Sequence, residues 1–188
     1  MVKNIQKKIL LVLFILLFGL NGALLSQDYS IAEVRKVYDA IRLIQREQMR
    51  KDRRSLQNID ITESELNSYI AYRIEAEKEK VMKKLKLKFL DENQIEGRVF
   101  IDLQGAEIPR VLQPQMNLRF VAVLKIKDEK ARLHLKRLFL EGLPVPGMIL
   151  DLVIYIASKI DNEKVSSFGD WYELPYGIKD VKIREGIA

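Results

Sequence analysis

The sequence Lys83-Lys84-Leu85-Lys86-Leu87-Lys88-Phe89-Leu90 decides the fold. Its basic and apolar residues occupy alternate positions, which is typical of a β-strand with one buried and one solvated face. The solvated positions are Lys84, Lys86 and Lys88, and the buried positions are Leu85, Leu87 and Phe89. We predict a strand from Val81 to Asp91.

Three further runs with the same alternation follow and predict an antiparallel meander. They span Ile95–Leu103, Asn117–Lys127 and Ala131–Glu141, and short polar turns separate the first from the leading strand and the last two from each other. Their core-facing positions include Val99, Ile101, Phe120, Leu124, Leu133 and Leu135. The alternation shifts after Arg137, which predicts a β-bulge or a twist in the fourth strand. Residues 104–116 contain one glycine and two prolines, and we predict an irregular loop or a broken edge strand there.

Two amphipathic helices are predicted before the meander. Apolar residues recur at helical spacing from Ile31 to about Arg54, and this helix ends in the basic cluster Arg50-Lys51-Asp52-Arg53-Arg54. Thr62 followed by Glu65 forms a capping box, which predicts a second helix from Glu63 to about Lys80.

A third helix is predicted after the meander, from Met148 to Ile160. Its side chains are apolar almost all round, so we expect it to be buried on most sides. About 13 residues are too few to span a bilayer, and the sheet is its expected cover. A short terminal strand with Val181 and Ile183 completes the prediction. The fold class is α+β: a curved antiparallel sheet of about five strands wrapped around a C-terminal apolar helix, with two N-terminal amphipathic helices.

The start of the chain has the features of an export signal. Lys3, Lys7 and Lys8 precede an apolar run from Ile9 to Leu20, and small residues follow it. This order is typical of a secretory signal peptide. We predict a signal peptide over residues 1–26 and a single α+β domain over 27–188. The alternative is an uncleaved anchor in the inner membrane formed by residues 9–25. In both cases the rest of the chain is exported, to the periplasm or cell envelope.

Composition excludes several classes of protein. The 188 residues are 48% hydrophobic and 31% charged, which indicates a folded domain and not a disordered chain. The sequence has no cysteine, which excludes disulfides, zinc–thiolate sites and a lipid anchor on cysteine. The formal charge is +6, but after the three lysines of the leader 29 basic residues face 26 acidic ones. We therefore expect no nucleic-acid partner, and the oligomeric state is left open.

Motifs of enzymes are absent from the sequence. It has no Gly-x-Ser-x-Gly elbow, phosphate-binding loop, dinucleotide fingerprint or His-Glu-x-x-His motif. His134 is the single histidine and is predicted on the solvated face of its strand. Asp102 and Glu107 flank a glycine loop, and we expect them to be solvated and not to bind a cation. Asp151 lies in the first turn of the apolar helix, where a carboxylate is favourable. We expect that the protein is not an enzyme and that it has no catalytic residue, no cofactor and no metal.

The strip Lys84, Lys86 and Lys88 has two interpretations. It could contact anionic headgroups, with Arg132, His134 and Lys136 continuing it and Trp171 acting as an interfacial anchor. It could also be a solvated face whose lysines discourage edge-to-edge aggregation, with Trp171 closing the core.

Three motifs of the chain resemble a family. They are Thr62-Glu63-Ser64-Glu65-Leu66-Asn67, Gly142-Leu143-Pro144-Val145-Pro146 and Leu174-Pro175-Tyr176-Gly177-Ile178. Their order resembles small exported bacterial proteins similar to single-domain tubular lipid-binding (TULIP-like) proteins, including the mannan-maturation lipoprotein group. The resemblance covers about Ile31 to the C-terminus. It implies a strongly curved sheet around a long helix, with an apolar groove for an acyl chain.

Two hypotheses about function follow. The first is an exported, non-catalytic protein that binds a lipid or another apolar ligand between the sheet and the helix. The expected lining is Leu85, Leu87, Phe89, Val99, Ile101, Phe120, Leu124, Leu133, Leu135, Ile149, Leu152, Val153 and Ile156. The second is a structural or interaction protein of the envelope with a filled core and no ligand. An exported hydrolase would require acids and hydroxyls to gather around His134.

Overall fold

The computed structural model describes residues 29–49, 58–160, 167–174 and 178–188. It contains helices α1 (Ile31–Met49), α2 (Glu63–Ala76) and α3 (Met148–Ile160). The strands are β1 (Met82–Leu90), β2 (Gln94–Asp102), β3 (Gln115–Lys127), β4 (Lys130–Leu140), β5 (Leu143–Pro144) and β6 (Tyr172–Glu173). The predicted leader and the basic cluster at residues 50–54 lie outside the described residues. Within the described residues, no helix is both long enough and apolar enough to cross a bilayer.

The strands form one antiparallel sheet in the order β1-β2-β3-β4-β5, and β6 also pairs with β4. The sheet is curled into a half-barrel, so the predicted fold class is confirmed. The fifth strand, however, is not where the sequence placed it. Residues 181 and 183 belong to no strand, and the pairings at the β4 edge come from β5 and β6.

Tight turns join the strands of the meander. Glu92 and Asn93 in the first hairpin, and Asp128 and Glu129 in the second, all have positive φ. Two consecutive residues in this conformation are what a type I′ turn requires, and its twist matches that of the flanking strands. The predicted bulge is confirmed, because the β3–β4 register shifts between Val121 and Ala122.

The helical hairpin at the start of the domain covers the free edge of β1. The capping box of α2 is confirmed, because the Thr62 and Glu65 side chains each accept a hydrogen bond from the other residue's backbone N–H. Along α2, the Asn67 side chain donates to the Leu87 carbonyl and accepts from the Leu87 N–H, both at 2.7 Å. The Phe89 N–H donates to the Glu63 carboxylate at 2.7 Å. Side chains of α2 therefore satisfy edge groups that a neighbouring strand would otherwise satisfy.

Helix α1 packs on α2 through buried apolar residues and a polar contact. Val34 and Val37 are buried, and Glu33 accepts hydrogen bonds from the hydroxyls of Ser64 and Ser68. These bonds, led by that of Ser68, lower the pKa of Glu33. The carboxylate therefore stays ionised where the two helices meet.

The C-terminal segment ties the helical hairpin to the sheet. The backbones of Ile61 and Ala188 exchange two hydrogen bonds of 2.9 Å. The Ile183 N–H donates to the side chain of Asn93, in the first hairpin of the meander, at 2.7 Å. These contacts, rather than a sheet ladder, hold the segment that was predicted as a strand.

Helix α3 has the predicted bounds, and most of its circumference is buried or partly buried. Ile149, Leu150, Val153 and Ile156 are buried and join the core. One stripe faces solvent, and in it Met148 is 72% exposed and Tyr155 46% exposed.

Candidate functional site

The two faces of the sheet differ in chemistry. We call inner face the side that carries Leu85, Leu87 and Phe89 and meets the helices, and outer face the side that carries Lys84, Lys86 and Lys88. The register fixes which residues of β2, β3 and β4 share each face, because cross-strand partners point to the same side of a sheet.

The inner face is apolar across all four long strands. Leu85 pairs with Val99, Val99 with Leu118, and Phe120 with Leu138. The Phe120 ring packs directly over Gly97, where no side chain would fit, because a Cβ at residue 97 would lie 2.2 Å from the ring. The same ring meets Phe168 edge-on at a centroid distance of 5.3 Å. The inner face is therefore filled at this point by aromatic side chains.

The structure brings the predicted lining residues together. All belong to one hydrophobic cluster that joins the inner face to α3, either as its buried members or as partly buried residues packed against it. Val99, Leu135 and Leu152 are partly buried, and the other predicted lining residues are buried. Leu135 lies close to the start of α3, because a Cβ at Gly147 would be 3.1 Å from its side chain.

Leu143 and Met148 leave an apolar rim beside this cluster. Leu143 is 70% exposed and Met148 is 72% exposed, and a short proline-containing turn separates them. The rim lies where the chain passes from the sheet into α3.

The outer face is basic across the same four strands. Lys86 pairs with Arg98, and Arg98 pairs with Arg119. Further along β3 and β4, Lys125 pairs with Arg132. Glu96 is the acid within this array, and its carboxylate lies 3.1 Å from Arg98 and 3.6 Å from Arg119. The register therefore extends the three-lysine strip of β1 into a cationic surface.

Aromatic side chains are interleaved with these cations. The Arg119 guanidinium lies 4.1 Å from the centroid of Phe139, its cross-strand partner. Phe100, opposite Lys84, is partly buried but lies outside the inner hydrophobic cluster. Trp171 is 40% exposed, and the Arg132 guanidinium lies 5.7 Å from its ring. All four residues proposed from the sequence as a membrane or partner surface, Lys84, Lys86, Lys88 and Trp171, therefore lie at this face.

His134 lies within the basic array. Partial burial lowers its pKa, and the positive charges of Lys125, Lys136 and Arg132 lower it further. The charged side chains that act on His134 are therefore cationic.

Of the two carboxylates considered as cation ligands, Glu107 is exposed and Asp102 is hydrogen-bonded within the protein. The Asp102 carboxylate accepts hydrogen bonds of 3.0 Å from the Gln104 N–H and the Gln115 side chain, which lower its pKa. Asp151 is exposed and accepts a hydrogen bond of 2.9 Å from Ser167. Within the described ranges, no group of three or more histidine, aspartate or glutamate side chains is arranged to hold a metal ion.

An open depression of about 430 Å³ lies elsewhere, on the solvent side of α1. Its lining consists of Asp39, Ala40, Arg42, Leu43 and Arg46. None of these residues was predicted to bind a ligand. The depression is distinct from both faces of the sheet.

Sequence reasoning missed the contribution of β2 and β3 to the outer face. Arg98 and Arg119 were not assigned to any surface, because the sequence does not state which residues pair across strands. The alternation of side chains along a strand could have found them: once Val99 and Phe120 are placed inside, the neighbouring arginines must point outward.

Comparison with protein-family models, curated proteins and solved structures finds no match for this chain.

Proposed function

We propose that this protein is an exported, non-catalytic protein of the cell envelope that holds an acyl chain or another apolar ligand between the inner face and α3. The observation that carries the proposal is the gathering of the predicted lining residues into one cluster shared by the sheet and α3. Apolar side chains supply most of the affinity for such a ligand, in proportion to the area removed from water.

The apolar rim supports the proposal independently. Leu143 and Met148 are exposed beside the junction of β4 and α3, while the opposite side of α3 is buried against the sheet cluster. A chain-like ligand that enters at this junction keeps part of its length in contact with apolar side chains. The resemblance of Gly142-Leu143-Pro144-Val145-Pro146 to the lipid-binding family includes this segment.

The second candidate is an interaction protein with a filled core. The Phe120 ring over Gly97, in contact with Phe168, is the observation in its favour, because these rings occupy the inner face at its centre. The two candidates differ in whether an apolar molecule is taken up beside α3.

A fluorescent fatty acid decides between them. The full chain, freed of bound lipid by extraction, is titrated with cis-parinaric acid, and Leu152→Trp is compared with Tyr155→Trp. Leu152 is half-buried and belongs to the proposed lining, whereas Tyr155 lies on the exposed side of the same helix and is 46% exposed. We expect Leu152→Trp to weaken binding about tenfold or more, since overfilling a packed site destabilises it by about 1–3 kcal/mol. Tyr155→Trp should retain the parent affinity.

Two results would contradict the proposal. The first is no uptake of the probe by the parent chain, and the second is the same affinity in Leu152→Trp as in the parent. Far-ultraviolet circular dichroism of both variants shows whether they share the parent fold, so that a loss of binding is not confused with unfolding.

A further inference from the structure

The positive charge of the outer face is distributed in two dimensions. One row of cations crosses the sheet through Lys86, Arg98 and Arg119, and another runs along β1 through Lys84 and Lys88. Neighbouring strands are about 4.8 Å apart, and alternate residues of one strand are about 7 Å apart. A linear polyanion in a groove meets one such row, whereas a plane of anionic groups meets several. The arrangement favours a planar anionic partner.

Glu96 does not cancel the positive charge of the outer face. Glu96 is shared between Arg98 and Arg119, so one carboxylate offsets two guanidiniums. The lysines of β1 are exposed, as are Lys125 and Arg137 further across the sheet. A net positive potential therefore faces solvent from the β1 edge to the β4 edge.

Trp171 lies at the β4 edge of the outer face. Its neighbour Tyr172 pairs with Ala131 of β4 and points into the core, so Trp171 points to the side of Arg132. Tryptophan is enriched where bilayer headgroups meet the acyl region, because its ring is apolar and its N–H donates a hydrogen bond. A tryptophan stacked with an arginine at the rim of a basic face is suited to that environment.

We propose that the outer face docks on the anionic headgroup surface of a lipid bilayer. Lysines and arginines from four strands contact lipid phosphates, and Trp171 enters the interfacial layer beside them. The apolar run near the start of the sequence, Ile9 to Leu20, is a second reason to favour a membrane over a nucleic acid. This inference does not depend on the proposed ligand between the inner face and α3, because that site is on the opposite side of the sheet.

The test compares matched lysine variants of the full chain on vesicles of phosphatidylcholine with and without phosphatidylglycerol. One variant carries Lys84→Gln, Lys86→Gln and Lys88→Gln. The control carries Lys78→Gln, Lys179→Gln and Lys182→Gln, which remove the same charge from exposed positions outside the sheet. Any contribution of residues 1–28 to vesicle binding is common to all of these proteins.

We expect the β1 variant to bind the anionic vesicles on the order of 100-fold more weakly than the parent, since each lysine near an anionic surface contributes about 1 kcal/mol. The control should bind like the parent, and added salt should weaken the parent on anionic vesicles. Equal binding of the β1 variant and the parent would overturn the proposal. The proposal would also be overturned if the β1 variant lost binding to duplex DNA but bound vesicles as the parent does.

A second measurement locates the contact. Trp171 is the only tryptophan of the sequence, so its fluorescence reports on the border of the outer face. We expect its emission to shift to shorter wavelength on phosphatidylglycerol vesicles and to be quenched by lipids brominated close to the headgroup. An unchanged spectrum on vesicles that bind the protein would overturn the docking orientation.

Discussion

His134 reports the electrostatic potential of the outer face, because it is the only histidine of the sequence. Desolvation lowers its pKa below 6.5, and Lys125, Lys136 and Arg132 lower it further by charge repulsion. We predict that a titration of the imidazole signals by nuclear magnetic resonance gives a pKa below 6.5. Lys125→Gln combined with Lys136→Gln should raise that pKa, whereas Lys182→Gln should leave it unchanged. A parent pKa at or above 6.5 would contradict the description of a cationic face.

Because the pKa of His134 is lowered in the folded state, its contribution to stability depends on pH. A folded-state pKa below the unfolded value of 6.5 means that the unfolded chain binds the proton more readily. The contribution of His134 to the free energy of unfolding is therefore present above pH 6.5. It is lost as the pH falls from 6.5 through the lower pKa of the folded state.

At the scale of elements, the edge of β1 depends on side chains from α2. Asn67 forms two hydrogen bonds of 2.7 Å with the backbone of Leu87, which is buried. We predict that Asn67→Ala lowers the free energy of unfolding by about 2 kcal/mol, because a buried N–H and a buried carbonyl lose their partner. Chemical denaturation monitored by circular dichroism measures this change.

The matched control is Asn58→Ala, an exposed asparagine before α2, for which we expect a change within about 0.5 kcal/mol. The Asn67 variant should also aggregate more readily, since an uncovered strand edge can pair with another chain. If Asn67→Ala is as stable as Asn58→Ala, the side chains of α2 do not stabilise the edge of β1.

The elements themselves were predictable where local chemistry determines them. The capping box at Thr62, the alternation of β1 and the bounds of α3 depend on neighbours in sequence, and the structure confirms each. The terminal strand failed because Val181 and Ile183 alternate as a strand does, but Ile183 bonds to Asn93 in a turn and not to a ladder. The exposed stripe of α3 was not predicted, because composition does not state which sides of a helix have neighbours.

At the scale of the whole molecule, one curled sheet separates two surfaces of opposite character. The residues that strand alternation placed on the inner face meet α3 in one cluster. The cationic outer face required cross-strand register, because Lys86, Arg98 and Arg119 become neighbours only when three strands are aligned. The proposed ligand and the proposed bilayer contact thus belong to opposite sides of the same four strands.

The central claim is that an apolar molecule lies between the inner face and α3. Native mass spectrometry of the protein purified from the cells that produce it tests this claim most directly. We predict a population whose mass exceeds that of the polypeptide by the mass of a lipid, and which returns to the polypeptide mass when collisions are made more energetic. The polypeptide mass alone, together with no uptake of added phospholipid, would contradict the account.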